Sequence, residues 1–266
     1  MRHATLLSGP PSRDMLGASG DTGTGDTGDI FAGSRASPKR KVSEDMTEPD
    51  FQGIELLPST PIKQLFILLH GWGAQAADLL SLAETLGAAF PQAALLLPEA
   101  THPLDEADSG RQWFSMHGMT EDNGPTRVAE ALPALHALVR QAQDRLGVLQ
   151  CDTALVGFSQ GAIMALAFSN AYDGGVGRVL AFAGRYAALP DKAPELTTLH
   201  LLHGADDPVI SVAHAYAAYE RLAALGGDAT LDVASAVGHA IPDELAERAV
   251  YRLQTCIPLR TWKLAL

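Results

Sequence analysis

The sequence predicts a three-layer α/β sandwich, with a mostly parallel central sheet covered by helices on both faces. Two observations carry this expectation. Short runs that are apolar on consecutive residues alternate with longer stretches of helical periodicity, and strands apolar on both faces need cover on both sides. The chain is 266 residues long and 47% hydrophobic, enough for one sizeable core in a single α/β unit.

The elements follow in order. QLFILLH (64–70) is a β-rich apolar run, and AADLLSLAETLGAAF (76–90) has helical spacing. ALLLP (94–98) reads as the next strand, while residues 99–125 are polar, contain Gly and Pro, and read as irregular. VAEALPALHALVRQAQDRL (128–146) predicts a helix with Pro133 near its first turns. TALVGF (153–158) is a strand, and QGAIMALAFSNAY (160–172) is a helix with almost no polar face, hence buried. RVLAFAG (178–184) and LHLLHG (199–204) are strands, followed by the helix VAHAYAAYERLAALG (212–226), which Gly-Gly ends. TLDVAS (230–235) is the last strand and DELAERAVYRLQTC (243–256) the last helix, and no internal repeat is visible.

Composition shifts near residue 45. Residues 1–45 are rich in Gly, Ser and Pro and balance six basic against six acidic groups, so the net charge of −12 belongs to the remainder. Such a segment buries too little to offset its ordering entropy and is expected to be disordered. The globular pattern begins within about ten residues of Met46, which suggests Met46 as the physiological start, with residues 46–266 forming one domain. PKRK (38–41) reads as a solvated charge cluster. A net acidic chain argues against nucleic acid or an anionic membrane as the main partner. Two cysteines, Cys151 and Cys256, form no disulfide framework, so a reducing cytoplasm is expected. The apolar runs are strand-sized, and residues 1–20 contain no signal-peptide core, so neither stable membrane insertion nor secretion is expected.

LVGFSQGAIM (155–164) places Ser159 between Gly157 and Gly161, where a strand gives way to a helix. G-x-S-x-G arises by chance about 0.1 times in a chain of this glycine and serine content, so its context decides. The strand–turn–helix context is that of a nucleophile elbow, and the helix N-terminus favours developing negative charge. A serine nucleophile needs a base, and the base needs an orienting carboxylate. The chain offers both at the ends of later strands, in the order Ser, Asp, His: Asp206-Asp207-Pro208 after LHLLHG, and Gly238-His239 after TLDVAS. Asp206 and Asp207 compete for the carboxylate role, and Asp207 is preferred because Pro208 restrains its backbone. His70 and His203 lie near the site as structural polar groups, and His102, His117, His136, His200 and His214 read as structural. Backbone N–H groups of Gln160, after the nucleophile, and Trp72, in His70-Gly71-Trp72-Gly73, are the candidate oxyanion donors. Trp113 and Phe114 either wall a substrate pocket, where apolar linings dominate, or cover the sheet's edge.

LLHGWG, GRQWFS (110–115), GFSQGAIMAL (157–166), HGADDPV (203–209) and GHAI (238–241) together resemble the phospholipase/carboxylesterase family of α/β-hydrolases, which includes acyl-protein thioesterases. The resemblance spans residues 50–258, and GRQWFS with GMTEDN (118–123) points to its bacterial serine esterase subgroup. It implies an α/β-hydrolase fold and a Ser159-Asp207-His239 triad. It also implies oxyanion donors at Trp72 and Gln160, and neither cofactor nor metal. Trp72 stands where better-known members carry a small or aliphatic residue, which narrows the adjacent pocket. Arg185 in FAGRYA (182–187) stands where many relatives read S-G-Y without a charge. The expected function is hydrolysis of short- to medium-chain acyl esters or thioesters through an acyl-enzyme, by a monomer or homodimer. The competing readings are a peptidase of the same fold and a non-catalytic binding module.

Overall fold

Seven strands make the central sheet of the computed structural model, which describes residues 51–105, 109–256 and 258. The tail expected to be disordered and the start at Met46 lie outside the described residues. β1 (Gly53–Leu56), β2 (Gln64–Leu69) and β3 (Ala93–Pro98) are followed by two short strands, β4 (His102–Pro103) and β5 (Arg111–Gln112), which pair with each other. β6 (Thr153–Phe158), β7 (Arg178–Phe182), β8 (Thr198–Gly204) and β9 (Ala229–Ala234) complete the set. The central order is β1-β3-β2-β6-β7-β8-β9, with β1 antiparallel to β3 and the other pairs parallel.

The helices are α1 (Leu80–Ala89), α2 (Gly124–Leu146), α3 (Gln160–Ala171), α4 (Ala213–Ala224) and α5 (Asp243–Thr255), with 3₁₀ turns at Ala76–Leu79 and Gln150–Asp152. Because strand side chains alternate, β2 sends Leu65, Ile67 and Leu69 to one face and Phe66 and Leu68 to the other. The first set packs with α2, α3 and α4, including Val128, Val139, Met164, Phe168 and Leu222. The second packs with α1 and α5, including Leu82, Leu86, Leu245 and Ala249. Two apolar layers on one sheet give the expected sandwich.

Three details differ from expectation. β1 carries no strand signal in the sequence, because its four residues lie at the sheet edge and none is fully buried, which leaves no apolar run. α2 begins at Gly124, ahead of the expected residue 128, because Pro125 fits the first helical turn and Asn123 and Thr120 bond each other's backbone N–H groups. Pro133 therefore lies inside the helix instead of near its start, where it removes one helical hydrogen bond.

The direction of chain travel reverses at β2: β3 lies on one side of it and β6 on the other. The loops leaving the C-terminal ends of β2 and β6 thus flank a topological switch point, where open α/β sheets form their crevice.

Candidate active site

β6 ends at Phe158, and Ser159 turns the chain into α3 with φ 53° and ψ −114°. A serine seldom adopts such a backbone, so its surroundings must impose it. The Ser159 N–H donates to the Phe182 carbonyl at 3.0 Å, and the Ser159 carbonyl accepts from Ala162 and Ile163 in the first turn of α3. The two flanking glycines are demanded by space. A Cβ on Gly157 would lie 2.3 Å from the Gly161 carbonyl oxygen, and one on Gly161 would lie 2.1 Å from that of Leu69. Any side chain at either position would push strand and helix apart.

His239 Nε2 lies 2.9 Å from Ser159 Oγ, and His239 Nδ1 lies 2.8 Å from Asp207 Oδ2. Asp207 Oδ1 accepts the backbone N–H groups of Val209 and Ile210 at 2.8 and 2.9 Å. Burial pushes the Asp207 carboxyl up, but its bonds from His239, Ile210 and Val209 outweigh that, and its pKa is held below the usual range. It stays a carboxylate. Asp206, its neighbour, is exposed and contributes only a backbone N–H to the Val237 carbonyl. Gly204 makes room for that loop: a Cβ there would lie 2.3 Å from the Val237 carbonyl oxygen. His203 donates from Nε2 to the Ile210 carbonyl and lies 3.3 Å from Asp207 Oδ2; burial lowers its pKa, so it packs as a neutral ring.

The loop after β2 reaches the serine directly, since a Cβ on Gly71 would lie 3.3 Å from Ser159 Cβ. Among the described residues no protein acceptor takes the backbone N–H of Trp72 or of Gln160, the latter being a helix N-terminal donor. His70 holds this loop from beneath. Its Nε2 accepts the Ala100 N–H at 3.0 Å, which leaves Nδ1–H to donate to the Gly71 carbonyl at 2.8 Å. That carbonyl shares a peptide plane with the Trp72 N–H, so the ring fixes the direction of the proposed donor. Burial lowers the His70 pKa, which keeps the ring neutral.

The segment 110–114 clamps the same loop. A Cβ on Gly110 would lie 2.4 Å from the Gly73 carbonyl oxygen, and backbone bonds join Arg111 to Gly73 and Ala74. Gln112 Oε1 accepts from the Trp72 indole at 3.3 Å, and the Trp113 indole donates to the His70 carbonyl at 2.9 Å. The Gln160 side chain completes the clamp: its Oε1 accepts the Trp113 N–H and its Nε2 donates to the Phe114 carbonyl, both at 2.8 Å. No sequence pattern signals this side-chain role, because Gln160 and its partners are 46 and 47 residues apart.

The pocket candidates separate. Phe114 and Arg185 line a cavity of about 10 Å³ beside α3, together with Met119, Val128, Ile163 and Ala187, and Glu121 pairs with Arg185. Trp113 is buried in the core instead, because its indole is engaged under the His70 loop. Trp72 is 54% exposed and does not line this cavity. Among the described residues no cluster of three or more His, Cys, Asp or Glu could hold a metal ion, and no helix is long and apolar enough to cross a membrane.

Comparison with known proteins converges on one group. The phospholipase/carboxylesterase family matches residues 56–257. Esterase YpfH of Escherichia coli (strain K12) is 43% identical over 201 residues, which are 76% of this chain and 86% of that protein. The crystal structure of esterase PE8 is similar with a TM-score of 0.71 at 28% identity, covering 78% of this chain and 99% of that one. The Bacillus cereus carboxylesterase shares the fold at a TM-score of 0.66 and 16% identity, over 78% of this chain and 95% of its own. With its mostly parallel sheet, covering helices and serine-bearing turn, this chain belongs to the phospholipase/carboxylesterase family of α/β-hydrolases.

Proposed function

We propose that this carboxylesterase works through an acyl-enzyme on Ser159, with His239 as general base and acid and Asp207 as the orienting carboxylate. The observation that carries the reading is the unbroken row of short hydrogen bonds from Asp207 through His239 to Ser159 Oγ. In the first half-reaction Ser159 Oγ attacks the acyl carbonyl carbon while His239 Nε2 takes the hydroxyl proton. Negative charge develops on the carbonyl oxygen, and the free Trp72 and Gln160 N–H groups receive it. The imidazolium is stabilised by Asp207, which remains ionised because its own hydrogen bonds favour the carboxylate. Collapse of the tetrahedral adduct breaks the bond to the alkoxide or thiolate, which leaves with the proton from His239. Water then repeats the sequence: His239 takes its proton, the hydroxide attacks the acyl carbon, and Ser159 Oγ departs reprotonated.

The substrates of this reading are short- to medium-chain acyl esters or thioesters, and the chemistry needs no cofactor. Two free cysteines are in keeping with a cytoplasmic enzyme, acting as monomer or homodimer. Neither the peptidase nor the binding-module reading has an observation of its own. Ser159→Ala is expected to lower kcat on p-nitrophenyl acetate by about 10⁴-fold or more. Turnover retained in that variant would refute the nucleophile assignment.

A further inference from the structure

An ion pair lines a small, largely apolar cavity beside α3. Arg185 Nη1 and Nη2 donate to Glu121 Oε2 and Oε1 at 3.4 and 3.3 Å. The two partners are unequally placed: the Arg185 side chain is 17% exposed and that of Glu121 80%. The rest of the cavity wall is largely hydrocarbon, from Phe114, Met119, Val128, Ile163 and Ala187.

These walls hang on the same turn as Ser159. Ile163 donates its N–H to the Ser159 carbonyl, and the Phe114 carbonyl is held by the Gln160 side chain. The 183–187 loop follows Phe182, whose carbonyl takes the Ser159 N–H, and a Cβ on Gly184 would lie 2.4 Å from Ala162 Cβ. A cavity whose walls are bonded to the backbone on either side of Ser159, and lined mainly by hydrocarbon, suits the acyl chain of an ester. Its volume of about 10 Å³ holds no more than one water-sized group.

Resting on the Ser159 reading, we infer that this cavity seats the end of the acyl chain and that Arg185, anchored by Glu121, is its end wall, restricting the enzyme to short acyl groups. A longer chain would have to displace the guanidinium. The barrier is mainly steric. Glu121 is solvated with or without its partner, and exposed pairs contribute little, so removing the glutamate loosens the wall while removing the arginine takes it away. The same wall explains why an apolar cavity ends in a charge: the ion pair stops a hydrocarbon where a methyl-lined end would accept it.

The test is kcat/KM for p-nitrophenyl acetate, butyrate and octanoate with the wild type, Arg185→Ala and Glu121→Ala. The wild type should prefer acetate and butyrate to octanoate by about tenfold or more, and Arg185→Ala should raise the octanoate-to-acetate ratio by about tenfold or more. Glu121→Ala, at an exposed position that the fold does not need, should raise it by about threefold, which keeps the inference testable if the arginine variant misfolds. A wild type that prefers octanoate, or ratios unchanged in the folded variants, would overturn the inference while leaving Ser159 in place. Mono-(4-nitrophenyl) succinate separates the remaining explanation. If it outruns the butyrate and loses that advantage in Arg185→Ala, the arginine is a carboxylate anchor and not a wall, which also overturns the inference. A wild type that turns over none of these esters would sink the Ser159 reading and this inference with it.

Discussion

Ser159 carries a backbone that serine seldom adopts, and two glycines on either side exist because atoms of β2 and α3 come within about 2 Å of where their side chains would be. This requirement is local in sequence, so the pentapeptide displays it openly. The choice between Asp206 and Asp207 was less legible, since adjacent residues share composition and spacing. What separates them is the direction each side chain takes at the end of β8. Asp207 is buried and accepts from His239, Val209 and Ile210, whereas Asp206 is exposed and meets the His239 loop only through its backbone. Asp207→Asn should therefore lower kcat by about 10⁴-fold, because an amide donates where His239 needs an acceptor. Asp206→Asn should stay within about threefold of the wild type, as surface substitutions usually do. Steady-state kinetics on one activated ester measures both, and the opposite ranking would reassign the carboxylate.

Between single residues and the whole sheet, the segment that read as irregular shapes the site most. Residues 99–125 hold only the two-residue strands β4 and β5, too short for a periodic signal. Their value lies in long-range bonds that no pattern within one element reveals. Gln112 meets Trp72, Trp113 meets His70, and Gln160 meets the backbone of 113 and 114. The motif GRQWFS was visible as a resemblance, but its physical work as a clamp on the loop after β2 was not. Gln160→Met keeps the backbone N–H proposed to hold the oxyanion and removes both bonds of the clamp. It should cost on the order of 10- to 100-fold in kcat, since small misplacements of positioning groups carry such penalties. A kcat equal to that of the wild type would show that the clamp does not position the donors.

Across the whole molecule, the alternation of doubly apolar strands with helices was sufficient to expect the parallel sheet, because burial on both faces leaves a continuous apolar record. Strand order was not recorded that way, and it is the order that sets the β2 and β6 loops side by side. The same burial encloses a histidine. His200, in β8, bonds Thr230 through Nδ1, and burial drives its pKa down to about 4, with Arg178 and Arg252 adding to the effect and Asp228 and Asp232 opposing it. The unfolded chain takes up this proton near pH 6.5 and the folded protein only near pH 4, so the contribution is whole above 6.5 and is lost as pH falls through that window. Between pH 7 and 5 the loss amounts to about 2 kcal/mol. Urea midpoints at the two pH values should fall less in His200→Gln than in the wild type; equal falls would mean that another group carries the acid sensitivity.

The proposed chemistry rests on one serine, at the switch point of the sheet, activated by His239 and Asp207. Mass-spectrometric mapping after reaction with a fluorophosphonate tests it most directly. A single adduct is expected on the peptide bearing Ser159, absent in Ser159→Ala and formed orders of magnitude more slowly in His239→Ala. An adduct on any other residue, or labelling of Ser159 at an undiminished rate without His239, would contradict it.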